Sequence, residues 1–161
     1  MKPEQVTNDH CIVEYAPPFR GQVIDLIGKG LREQKVLPAS DEPIDDYDLY
    51  HIPDIYKGRG RFWVYLKDNI VIGTVAILEM SPTTAQLKCM FVETAYHGQG
   101  IGQQLLDHAL HFARCQQYHE MTLTTHPFMK RAHHFYERNG FRRVADSSNL
   151  YIYQFTLHVG T

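Results

Sequence analysis

Gly98, Gly100 and Gly102 stand at alternate positions in the run 97–102, His-Gly-Gln-Gly-Ile-Gly, which follows an apolar stretch and opens a helical one. Glycine removes side chains where a ligand must touch the backbone. The unpaired N–H groups of a helix's first turn add about half a positive charge. The chemistry on offer is anion binding, and a phosphate fits it. Two familiar phosphate loops do not match. The dinucleotide fingerprint G-x-G-x-x-G would need its third glycine at position 103, where Gln103 stands, so Gly102 falls one residue early. The P-loop ends in Gly-Lys-Ser/Thr, and no lysine follows here.

The same run resembles the coenzyme A loop of the GNAT acetyltransferases, Gln/Arg-x-x-Gly-x-Gly/Ala, with Gly100, Ile101 and Gly102 in register and His97 in place of the Arg or Gln. A second stretch, 132–141, Ala-His-His-Phe-Tyr-Glu-Arg-Asn-Gly-Phe, is similar to the family's Ala-x-x-Phe/Leu-Tyr-Glu-x-x-Gly-Phe signature. The resemblance is specific from about residue 70 to residue 144.

It implies an α/β GNAT fold: a mixed, mostly antiparallel sheet of six to seven strands, helices on both faces, splayed between strands 4 and 5. The implied activity is acetyl-CoA-dependent N-acetyl transfer to a primary amine of a small molecule or peptide, by direct attack in a ternary complex. Carried over residue by residue, the backbone of Met90, Phe91 and Val92 would hold pantetheine, with one N–H polarising the thioester carbonyl. Gly98, Gln99, Gly100, Ile101, Gly102 and Gln103 would hold the diphosphate. Tyr136 matches the tyrosine that protonates the departing sulfur. Met129 stands where the family commonly has a cofactor-binding Asn. Lys130 and Arg131 read either as partners for the adenosine 3′-phosphate or as a solvated charge pair opening a helix. A silent acyl-CoA-binding or regulatory module, or a protein N-terminal acetyltransferase, is the alternative.

An amine of pKa near 10 must lose a proton, at about 4 kcal/mol at pH 7. Gln86 and Thr124, on the strands where the family often places a Glu, are not bases. His126, with an unperturbed pKa in the working range, Glu79 and Glu93 remain, as does a water relay.

These residues need elements to position them. Strands are expected at 11–15, 61–66, 69–80, 85–92, 121–125, 141–145 and 150–157, from runs of Val, Ile and aromatic residues. Helices are expected at 19–34, at about 100–117, where Leu105, Leu106, Ala109, Phe112 and Ala113 form one stripe, and from Pro127 to Asn139, with Gly140 as a left-handed cap. The acidic, aromatic segment 41–56 shows no clear period.

Chain length, 43% hydrophobic and 21% charged residues describe one globular domain over 1–161. A net charge of −2 offers no field for nucleic acid, and no apolar run is long enough for a membrane span. Residues 1–16 lack the apolar core of a signal peptide, so a cytoplasmic setting is expected. Cys11, Cys89 and Cys115 form no C-x-x-C pair and read as reduced thiols. No metal is expected: His108, His111, His133 and His134 read as solvent-exposed. Asp41, Glu42, Asp45, Asp46, Asp48 and Asp54 read either as a solvated loop or as attraction for a cationic acceptor near Tyr47 and Tyr50. A homodimer is left open.

Overall fold

The computed structural model describes residues 10–147 and 149–157. Residues 1–9, where most of the leader reading falls, lie outside the described residues, as does Ser148 in the last predicted hairpin.

Strand β1 (His10–Glu14) leads through a 3-10 turn at Pro17–Phe19 into helix α1 (Arg20–Glu33). Proline pre-sets the φ that a helical start requires. The segment without a period forms two single-turn helices, α2 (Tyr47–Tyr50) and α3 (Ile52–Ile55). Asp46 caps the first by accepting from the Leu49 amide at 3.3 Å. Strands β2 (Arg61–Lys67) and β3 (Ile70–Glu79) meet at Asp68-Asn69, with φ of 52° and 65°. Positive φ at both central residues is the turn whose twist matches a hairpin, and Asp and Asn tolerate it. Then come β4 (Thr84–Val92), α4 (Ile101–Cys115), β5 (Glu120–Thr125), α5 (Lys130–Arg138), β6 (Arg142–Asp146) and β7 (Tyr151–Thr156). Gly140, φ 95°, closes α5 as expected.

The strands form one seven-stranded sheet in the order β1-β2-β3-β4-β5-β7-β6. Side chains alternate across it, so β2 sends Phe62, Val64 and Leu66 to one face and Trp63 and Tyr65 to the other. Helix α1 covers the first face with Val23, Ile24, Leu26 and Ile27, and Leu49, Ile52 and Tyr56 extend that layer. Helix α4 covers the second with Leu105, Leu106, Ala109 and Ala113, joined by Tyr136 of α5. Burial on both faces explains why β2 and β3 are nearly continuous apolar runs.

All neighbours are antiparallel except β4 and β5, which are joined by a crossover through α4. That parallel pairing covers only Thr84–Glu120, Ala85–Met121 and Gln86–Thr122. Beyond it the strands part. β5 instead pairs along its whole length with β7, from Glu120–Thr156 to Thr125–Tyr151. Among the described residues no helix is long and apolar enough to cross a membrane.

Candidate active site

The opening between β4 and β5 lies beside a fault in β4. Thr74 and Ala76 of β3 face Phe91 and Lys88, so Val75 lies opposite two residues, Cys89 and Met90. Such a bulge adds one residue to a strand and moves every later side chain to the opposite face. Ala85 and Leu87 pack on the α4 side, and past the bulge that side belongs to Met90 and Val92. Cys89 and Phe91 turn toward α1 instead. Gly30 of α1 makes room for Phe91, since a Cβ there would sit 2.6 Å from the ring.

Backbone direction follows from pairing. The Glu93 amide donates to the Ile72 carbonyl at 2.8 Å, and peptide groups alternate sides in an antiparallel strand. Phe91 therefore faces β3 along with Glu93, whereas Val92, and Met90 two residues before it, turn toward the gap. Of the three backbone positions expected to meet the cofactor arm, Phe91 is the one turned away. His97 Nε2 lies 2.8 Å from the Val92 carbonyl. A carbonyl only accepts, so this nitrogen carries the proton.

The glycine loop opens α4 at the same end. Gly98 and Gly100 have φ of 81° and 82°, and Gly100 is the N-cap. Residues 97–100, Gln99 among them, are exposed. None of the amides of residues 98–103 meets an acceptor among the described residues. Free donors and the helix dipole thus face outward together. Ile101 is buried beneath them, and Gln103 Nε2 donates to Asp107 Oδ1 (2.9 Å) and Asn139 Oδ1 (2.7 Å), which ties α4 to the end of α5. A Cβ on Gly102 would lie 3.7 Å from Met90 Cε and 3.8 Å from Phe135 Cζ, so β4, α4 and α5 converge here.

Tyr136, next to Phe135, is 7% exposed, with edge-on contacts to Phe135 and Phe141 at 5.3 and 5.5 Å between ring centroids. Its hydroxyl has no hydrogen-bond partner among the described residues, yet is not sealed from solvent. Burial pushes its pKa well above the usual phenol range, which keeps the proton on at neutral pH.

The candidate bases separate. β5 runs parallel to β4, so His126, which follows Thr125, lies at the open end, stacked on Phe128 at 5.3 Å. Glu79 lies at the other end: it pairs with Ala85, where β4 and β5 are still joined, and its carboxylate takes a 2.9 Å hydrogen bond from Arg59. β3 runs antiparallel to β4 and so carries its last residue, Glu79, away from the gap. Glu93 is at the right end but bound to Lys29 at 2.6 Å, while Thr94 donates to Glu33 at 2.7 Å. Met129 turns its sulfur onto the His126 amide at 3.4 Å, and Arg131 is exposed without an ion pair among the described residues.

One histidine reading is overturned. His108, His111 and His134 are exposed, but His133 is buried, with Nε2 2.8 Å from Thr125 Oγ1 and 3.0 Å from the His126 carbonyl. It packs on Tyr151 and Tyr153, and burial lowers its pKa. Its place is set by spacing: His133, three residues before Tyr136, shares that residue's inward face. Among the described residues no three His, Cys, Asp or Glu side chains group as a metal requires.

A strand pair that parts beside an unpaired helix N-terminus, over a protonated buried tyrosine, has a counterpart among known proteins. The family model for the acetyltransferase (GNAT) family matches residues 27–141. The chain belongs to this family.

Other acetyltransferases are similar to it in sequence or in shape. An acetyltransferase from Streptococcus agalactiae has a TM-score of 0.83 at 28% identity, covering 94% of this chain and 100% of that one. A PaiA N-acetyltransferase from Thermoplasma acidophilum, solved in complex with coenzyme A, has a TM-score of 0.74 over 91% and 98% of the two chains and, at 17% identity, shares the fold. In sequence, the chain is 31% identical to a probable N-acetyltransferase family 8 member 5 of Mus musculus, over 69% of this chain and 55% of that protein. It is 33% identical to the N-acetylaspartate synthetase of Homo sapiens, over 80% and 44%. The chain thus spans about half of these relatives or less.

Proposed function

We propose that the chain is an acetyl-CoA-dependent N-acetyltransferase acting on a primary amine of a small molecule or peptide, with both substrates bound together. The observation that carries this reading is the gap: strands that part after three residue pairs, beside amides that meet no protein acceptor. Residues 98–103 suit a diphosphate through N–H donors and the helix dipole. Met90 and Val92 offer peptide groups on the open side to an amide-bearing arm. Acetyl-CoA supplies the thioester when bound.

The chain's own residues then have three tasks. An N–H at the bulge polarises the carbonyl, a preorganised donor in a partly dry site. His126 takes the amine proton, directly or through one water. As the C–N bond forms and the C–S bond breaks, Tyr136 gives its proton to the sulfur and regains one from solvent. Its raised pKa is not a mismatch, because a thiolate leaving into the same apolar surroundings is raised too. Cys89 does not act as a nucleophile in this scheme. Burial pushes its thiol up to about 11, and the thiol is a poor nucleophile beside the thiolate.

Burial chiefly raises the pKa values of Tyr56 and Cys89 at the bulge; Asp46 and Asp48 add smaller contributions of the same sign, which Lys88 opposes at Cys89. On this reading these two carboxylates face the acceptor. That supports an amine carrying no carboxylate of its own, in contrast to the product named by N-acetylaspartate synthetase. The free cysteines suit the reducing cytoplasm.

Thiol release from acetyl-CoA across a panel of amines, diamines, aspartate and short peptides tests the reading. Release with neutral or cationic amines supports it. Coenzyme A binding with no release from any acceptor would replace it with the silent module, release with peptide N-termini alone would make it a protein N-terminal acetyltransferase, and aspartate as best acceptor would overturn the charge argument.

A further inference from the structure

We infer that Thr74 is a positioning residue, whose hydroxyl holds Cys89 in the left-handed region so that Met90 and Val92 face the gap. Among the described residues five non-glycine residues have positive φ. Lys35, Asp68, Asn69 and Gln117 occupy turns, and only Cys89, at 55°, lies within a strand. A side chain in that region is strained and persists only where its surroundings over-determine it. Two contacts do so. Thr74 Oγ1, fully buried, donates to the Cys89 carbonyl at 2.6 Å. Cys89 Sγ lies 3.7 Å from the hydroxyl of Tyr56, itself buried against Phe62.

The hydroxyl is the more consequential contact, because it acts on the peptide group whose rotation makes the bulge. Were Cys89 to relax into ordinary extended geometry, the strand would lose its extra residue. A one-residue slip exchanges the faces of everything that follows. Met90 would then point toward α1, and the peptide groups that line the gap would turn into the β3 ladder. Thr74 therefore acts through Cys89 on residues that it need not touch, and it rests on the functional reading above only for what those residues do.

A cycle of four proteins tests this, wild type, Thr74→Val, Cys89→Gly and the double variant, and a fifth, Thr74→Ser, is the conservative control. Valine keeps the shape and loses the donor, while glycine takes positive φ without strain. In the wild-type background Thr74→Val should lower kcat/KM about tenfold or more, as a displacement of catalytic groups does, and Thr74→Ser should restore it. In the Cys89→Gly background the same Thr74→Val change should cost less than about threefold, because the backbone no longer needs holding. An equal loss in both backgrounds, or no loss in either, would overturn the inference. Thermal melting and coenzyme A calorimetry on the same four proteins read this coupling without any reaction. A wild type that binds coenzyme A but turns over no amine would thus end the transferase reading while the melting cycle still decides the role of Thr74.

Discussion

Tyr136→Phe removes one oxygen atom and leaves the ring packed between Phe135 and Phe141. Coenzyme A affinity should stay, and turnover should fall about 10²-fold, the usual loss of one general acid; an unchanged rate in the thiol-release assay would return the residue to the core. For the base, position separates the candidates where residue type did not. If His126 is the base, kcat/KM should rise with pH in the wild type, and His126→Ala should remove that rise. Glu79→Gln should leave that profile intact and lose only a half-exposed ion pair with Arg59, about 0.2–1 kcal/mol of stability by thermal melting. If both variants keep the wild-type profile and the rate climbs toward the pKa of the free amine, the enzyme selects neutral acceptor from solution. Alignment and carbonyl polarisation then carry the rate, with no side-chain base.

At the scale of elements, the glycine loop contains two kinds of glycine. Gly98 and Gly100 are required by their own backbone, since a side chain at φ near 80° costs about 1–2 kcal/mol. Gly102 meets no such demand: an added Cβ finds Met90 and Phe135 at ordinary contact distance. Gly102→Ala should therefore fold like the wild type, and whatever acetyl-CoA affinity it loses by calorimetry measures how closely the ligand approaches. Gly100→Val and Gly102→Val should abolish binding. The loop, its helix and the Tyr136 segment were legible because glycine, 3.6-residue periodicity and a tyrosine at fixed spacing are written in residue types. The bulge was not, since Cys89 is no glycine and only the register against β3 shows the extra residue. Nor was the pair α2 and α3, held by one Asp cap and by burial of Leu49 and Ile52 rather than by any repeating pattern. Polar type hid the burial of His133, which only its phase with Tyr136 indicated.

The whole molecule should respond to acid through two desolvated imidazoles, the buried His133 and the more exposed His108, whose ring is partly shielded against Trp63. Burial lowers the pKa of His133 and of His108, so the folded state resists a proton that the unfolded chain accepts near pH 6.5. Between those values the unfolded state holds more protons, and stability falls as pH drops. It is complete above the unfolded value and lost progressively down to the folded one. Melting temperature should decline from pH 7.5 to 5, and His133→Gln, which keeps a donor for the His126 carbonyl, should flatten the decline; an unaltered slope would sink the assignment. The parting of β4 from β5 has a mechanical side as well. Between β1–β4 on one side and β5, β7 and β6 on the other, the backbone ladder is three pairs long. The sheet is a book with a short spine, its leaves otherwise kept together by the side chains of α4 and the core. A ligand laid between the leaves acts as a second binding. At a hundred times its dissociation constant coenzyme A would add about 2.7 kcal/mol, and slowed amide exchange should appear on β5, across the opening from the loop proposed to hold the phosphates.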